Sequence, residues 1–150
     1  MTKALQTFTE NSFEQILARG GDYDWVVSVS NAKSCKYLVC CHSGGTDRGA
    51  GFLIGKISHV EFTIVDTKGK SRYLIGISEV AHIHLPQLWN GQQNPVRYTS
   101  LEELGIDLSE LKFGKVSPTK SEALTIEQAK AGLAKQFGVS PESIEITIKG

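Results

Sequence analysis

Two fifteen-residue runs, GFLIGKISHVEFTIV at 51–65 and SRYLIGISEVAHIHL at 71–85, flank the turn-forming stretch DTKGK. Both are crowded with valine, isoleucine and aromatic side chains. Branched side chains lose χ1 freedom in a helix and pack well on a pleated surface, so the runs predict strands. Turn residues between apolar runs indicate an antiparallel meander or barrel. Shorter strands are expected at DWVVSVS, where Trp25, Val27 and Val29 alternate, and at KYLVCC. Gly55 and Gly76 interrupt the long runs, where glycine marks a bulge, a tight bend or a close backbone approach. The stretch from Cys41 to Ile57 reads as a hairpin. Cys40 and Cys41 end one strand, Gly44 to Gly51 form an exposed loop, and Phe52 to Val60 return antiparallel.

Helical signals are short. Residues 11–19 carry Phe13, Ile16 and Leu17 on one face, with Asn11 as cap, Glu14 as its capping-box partner and Gly20-Gly21 as the stop. TSLEELGIDLSEL supplies a second helix, capped by Thr99 or Ser100 and stopped at Gly105. Pro86 ends the second long run, and Asn90-Gly91 is a tight-turn dipeptide. Residues 114–123 have the composition of a linker. Beyond it, Thr125 caps an amphipathic helix closed by Gly138, and Ile144, Ile146 and Ile148 alternate in a last strand. One helix and one strand cannot make a core. This tail is expected to dock on the main body, a second copy or a protein partner. The predicted organisation is a main body over 1–113, a linker over 114–123 and a helix–strand unit over 124–150.

A chain of 150 residues suits one domain with an appendage, long enough for a core without disulfides or metals. Sixteen basic residues balance sixteen acidic ones, so overall charge argues for neither nucleic acid nor membrane. The distribution is uneven. Residues 31–72 hold seven Lys/Arg against three Asp/Glu, and residues 73–113 hold two against five. Three cysteines, two of them adjacent, do not form a disulfide framework. No leader pattern or membrane-length apolar run is visible, and a reducing cytoplasmic setting is expected.

Catalytic and metal signatures are incomplete. Cys35, Cys40, Cys41 and His42 lack a second ligand pair at zinc spacing, and adjacent strand residues such as Cys41 and His42 diverge rather than form a dyad. SGGTDRG is no nucleotide-binding loop, although Ser43, Thr46 and Arg48 could present donors to a phosphodiester. Trp25, Ser28, Ser30, Asn31, Trp89, Asn94, Arg97 and Tyr98 combine aromatic surface with groups able to read a base edge. Lys33, Lys36, Arg48, Lys56 and Arg72 add positive charge nearby. No cofactor is implied.

The runs DWVVSVSNAK, YLVCCHSGGTDRGAGFLIGKISHV and RYLIGISEVAHIHLPQLWNGQQNPVRY, covering roughly residues 22–100, resemble the small β-barrels of the PUA-like group, nearest to its EVE and ASCH branches. The resemblance implies an α+β fold: a mixed or antiparallel β-barrel with short flanking helices and the C-terminal helix–strand appendage. It also implies a non-enzymatic module that binds DNA or RNA, with a modified or flipped base held in an aromatic pocket. Trp25, Ser30 and Asn31 would lie near that pocket, with Ser43 and Gly44 on its rim. Arg48, Lys56 and Arg97 complete the expected contact set. The alternative is a protein-interaction module of a bacterial mobile-element or phage-defence system, docking through residues 124–150 as a homodimer or onto a partner.

Overall fold

The structure is a computed structural model that describes residues 2–117. The tail expected over 124–150, with most of the linker before it, lies outside the described residues.

The architecture is α+β, built on one mixed sheet. The strands are β1 (Lys3–Thr9), β2 (Gly21–Trp25), β3 (Tyr37–His42), β4 (Gly51–Val65), β5 (Ser71–Leu85), β6 (Val96–Ser100) and the two-residue β7 (Gly114–Lys115). Their order is β2-β5-β4-β3-β1-β6, with β7 also pairing β5. The two long runs form β4 and β5 with the expected bounds, joined by a turn in which Asp66 Oδ1 accepts from the Lys68 and Lys70 amides. β3 and β4 form the expected hairpin, with Cys40 opposite Leu53 and loop residues 43–50 between them.

The sheet does not close, since β2 and β6 stand at its two ends. It is strongly curled nonetheless. Asp22 of β2 reaches across to accept from the hydroxyls of Thr7 (2.8 Å) and Thr9 (3.2 Å) on β1, at the other side of the sheet. That carboxylate braces the two sides where backbone pairing does not.

Both faces are covered. Inside the curl, Leu5, Leu38, Cys40, Leu53, Ile75 and Ile77 pack against α1 (Phe13–Arg19) and α2 (Val29–Ser34) through Ile16, Ala32 and Cys35. On the outer face, Ala4, Val39, Ile54, Ala81 and Ile83 meet α3 (Leu101–Leu104) and the segment after it, through Leu101, Leu104, Ile106 and Leu108. Each fully buried aliphatic side chain contributes about 1.5–3 kcal/mol.

Several expectations are corrected. α1 is capped by Ser12, not Asn11, and its capping-box partner is Gln15, not Glu14. The Asn11 amide is drawn instead to the buried Asp22, donating at 2.7 Å. DWVVSVS is not a continuous strand. It ends at Trp25, after Asp24 adopts a positive φ of 63°, and Ser28 then caps α2. β1 and β6 lie in stretches where the sequence predicted no strand. Gly114-Lys115, assigned to the linker, pairs with Val80 and Glu79 of β5. The two strand glycines do admit close neighbours: an added Cβ at Gly55 would meet the Ile77 side chain, and one at Gly76 the His59 ring.

Candidate functional site

Two loops meet at one end of the outer face. The first is the β3–β4 connection, whose glycines Gly45 and Gly49 take the positive φ values that the turn needs. Its base is tied by His42 and Ala50, and the Gly49 amide donates to His42 O at 2.7 Å. The second follows β5, where Pro86 ends the strand. Gln87 then takes φ 55°, Leu88 turns into the outer core, and the Trp89 amide donates to Gly49 O at 2.9 Å, fastening one loop to the other.

Between them lies a groove of about 610 Å³ lined by Phe8, Arg48, Gly49, Gln87, Trp89, Asn90, Gly91 and Gln92. Phe8, near the end of β1, stacks on Trp89 with ring centroids 5.0 Å apart and planes 7° from parallel. The Arg48 guanidinium lies 5.4 Å from the Phe8 ring centroid, within range of a cation–π contact. Asn90 and Gln92 hold the second loop: Asn90 Oδ1 accepts from the Gln92 amide, and Gln92 Nε2 donates to Asn94 O and Val96 O. The Gln87 side chain has no hydrogen-bond partner among the described residues. A residue other than glycine at positive φ carries backbone strain. Here that strain coincides with an amide free to bond a ligand.

Behind the second loop, Gln6 is fully buried. Its amide donates to Cys41 Sγ (3.2 Å) and Leu88 O (3.5 Å), and its Oε1 accepts from Arg97 Nη1 (3.4 Å). Arg97 is thereby held beside the loop that carries Gln87 and Trp89. Burial pushes the Cys41 thiol up to about 11, with the Gln6 contact pulling the other way. On the inner face, burial also raises Asp22, against the hydrogen bonds from Asn11, Thr7 and Thr9. Cys40, fully enclosed and 3.7 Å from Asp22, is raised well above the usual thiol range by burial first and by the carboxylate second. Burial at both positions disfavours the thiolate, the nucleophilic form. No cluster of three or more His, Cys, Asp or Glu suited to a metal occurs among the described residues. No helix among them is long and apolar enough to cross a membrane.

The residues expected to form one pocket are distributed over several places. Arg48 lines the groove and Arg97 stands behind it. Ser43 and Gly44 belong to the same hairpin loop as Arg48 but not to the groove wall. Ser30 and Asn31 lie on α2, where Asn31 borders a separate hollow of about 330 Å³ with Lys3, Ser34, Cys35, Tyr98 and Thr99. Trp25 is on neither wall. Its indole packs against the inner core, with Nε1 buried near Asp22 but without a hydrogen bond of good geometry. Lys56 pairs at 3.8 Å with Glu79 on the sheet surface. Phe8 and Gln87 were not singled out by sequence. A phenylalanine between two threonines gives no sign that it will meet a tryptophan 81 residues further along the chain.

No protein-family model, curated protein or solved structure matches this chain.

Proposed function

We propose that this chain is a nucleic-acid-binding module of the PUA-like kind, and that it holds an unpaired base in the groove of Phe8, Arg48, Gln87 and Trp89. The observation that carries the reading is the parallel Phe8–Trp89 stack with Arg48 poised over it. Aromatic rings at a groove wall offer a platform for any base. An arginine beside them supplies charge-assisted hydrogen bonds to a phosphate. The free Gln87 amide carries both a donor and an acceptor, the pattern needed to read a base edge.

Fluorescence anisotropy with short labelled single-stranded DNA and RNA, modified bases included, tests this at several salt concentrations. Binding is expected to weaken with salt as counterions are released. Arg48→Ala should reduce the salt slope by about one. Phe8→Ala should lose about 1–3 kcal/mol with the slope unchanged. Gln87→Ala, at an exposed position, should alter base preference without altering the fold. Lys56→Ala, remote from the groove wall and paired with Glu79, is the control that should change little. Absence of binding to any single- or double-stranded nucleic acid at low salt refutes the proposal.

A further inference from the structure

Asparagine occurs in the chain at positions 11, 31, 90 and 94. Its side-chain amide is open to attack by the backbone nitrogen of the next residue, which closes a cyclic imide and expels ammonia. The reaction needs an N–H on that nitrogen, an amide not already tied into other structure, and room for the chain to turn. Asn94 precedes Pro95, which has no N–H. Asn31 lies in α2, where the following Ala32 amide donates to Ser28 O at 2.8 Å. Asn11 is held by Asp22, and the following Ser12 amide donates to Gln15 Oε1 at 2.9 Å. Asn90 differs on every count. It is exposed, as is Gly91. The Gly91 amide has no hydrogen-bond partner among the described residues, and a Cβ added there would meet nothing within 4 Å. The Gln92 amide donates to Asn90 Oδ1 at 3.1 Å. That oxygen gains negative charge as the nitrogen adds to Cγ, and a donor already aimed at developing charge lowers the barrier.

We propose that Asn90 is a site of spontaneous deamidation that places a carboxylate on the wall of the groove. The Gly91 nitrogen gives its proton to solvent and bonds to Asn90 Cγ. The Cγ–Nδ2 bond breaks, and Nδ2 takes a proton from solvent and leaves as ammonia. Water then opens the imide at either carbonyl, giving aspartate or isoaspartate. One water is consumed and one ammonia released, with no change of oxidation state. Asn90, Gly91 and Arg48 line the same groove, so either product sets a negative charge on the wall that Arg48 makes positive. Isoaspartate also adds a methylene to the main chain beside Gln92, whose side chain holds the loop through Asn94 O and Val96 O. The chemistry of the site is independent of the nucleic-acid reading. Its effect on the ligand rests on that reading, since the new carboxylate repels the phosphodiester that Arg48 attracts.

The test holds the full chain in mildly alkaline buffer over days and follows it by peptide mapping and mass spectrometry. A synthetic peptide of residues 87–94 sets the intrinsic rate. Position 90 should gain the mass of an NH2-to-OH exchange within a few-fold of the peptide's rate and become a substrate for an isoaspartyl methyltransferase. Asn11, Asn31 and Asn94 should keep their amides, and Gly91→Ala should slow the conversion sharply. Asn90 still intact once the peptide has converted overturns the site, as does conversion of Asn11 or Asn31 ahead of it. Asn90→Asp, measured by anisotropy against single-stranded nucleic acid, should bind several-fold more weakly at low salt and converge with wild type at high salt, where the repulsion is screened. Equal affinities at low salt overturn the effect on the ligand. A wild-type chain that binds no nucleic acid refutes the preceding reading and that effect with it, whereas the site stands or falls on the mass alone.

Discussion

Asp22 offers the sharpest test of how the curl is held. Its carboxylate is fully buried and accepts from Thr7, Thr9, Asn11 and the Tyr23 amide. Asp22→Ala leaves these donors facing a void. Each buried donor left unsatisfied costs about 1–3 kcal/mol, and hydroxyls can rotate toward other partners. A total near 3–5 kcal/mol is the expectation, as for breaking a buried polar pair. With a urea m-value of about 2 kcal/mol/M, the midpoint should fall by roughly 2 M. Asp22→Asn is a different perturbation. Its carbonyl can accept from Asn11 and the Tyr23 amide, and its amide can donate to Thr7, so the network survives with a neutral centre. Burial raises the folded-state pKa of Asp22 above its unfolded value. The native state therefore binds the proton more readily, and the cost of the buried charge is relieved as pH falls through the folded value toward the unfolded one. Wild type should gain stability relative to Asp22→Asn over that acid window. Urea denaturation of the three proteins at neutral and acidic pH measures both effects. An Asp22→Ala loss below about 1 kcal/mol would refute the bracing role. So would an Asp22→Asn loss as large as that of alanine.

Further expectations concern packing and reactivity. Gly55→Ala should cost about 1–3 kcal/mol in urea denaturation, because the new methyl meets the buried Ile77 near its Cβ. Gly76→Ala should cost less, since the exposed His59 ring can swing away. Trp25→Phe should stay within about 1 kcal/mol of wild type, because the lost N–H has no partner, whereas Trp25→Ala should lose about 3–5 kcal/mol by creating a cavity. In a thiol titration near pH 8, Cys40 and Cys41 should stay unreactive until denaturant is added, and Cys35 should react before them.

The parts of the fold legible in sequence are those where local pattern and tertiary role agree. β4, β5 and the turn between them follow from branched residues and turn chemistry, and the β3–β4 hairpin from a glycine-rich polar stretch between apolar runs. β1 was not legible because Gln6, Thr7 and Thr9 look like surface residues yet are fully or almost fully buried, satisfied by Cys41, Asp22 and Leu88. α2 was hidden by the alternation of Val27 and Val29, which competes with the cap signal of Ser28. At the groove, Arg48 stood out through its glycine-rich context. The Phe8–Trp89 stack joins distant parts of the chain, and no local pattern encodes that meeting. Trp25 was assigned to a pocket because tryptophan beside serine and asparagine suits a base. Its partner is the inner core.

The placement of β1 between β3 and β6 has a consequence for synthesis. Among the described strands β1 is synthesised first, and β6, its outer neighbour, lies roughly ninety residues later, about 5–20 s at typical elongation rates. During that interval a central strand must wait without half of its hydrogen-bonding partners. An uninterrupted aliphatic strand in that position would invite nascent chains to pair with one another. The alternating threonines of TFT and the glutamine before them let the waiting segment remain hydrated. The same polar atoms that obscure β1 as a core strand are therefore suited to keeping it unaggregated until Asp22, Cys41 and β6 arrive to enclose it.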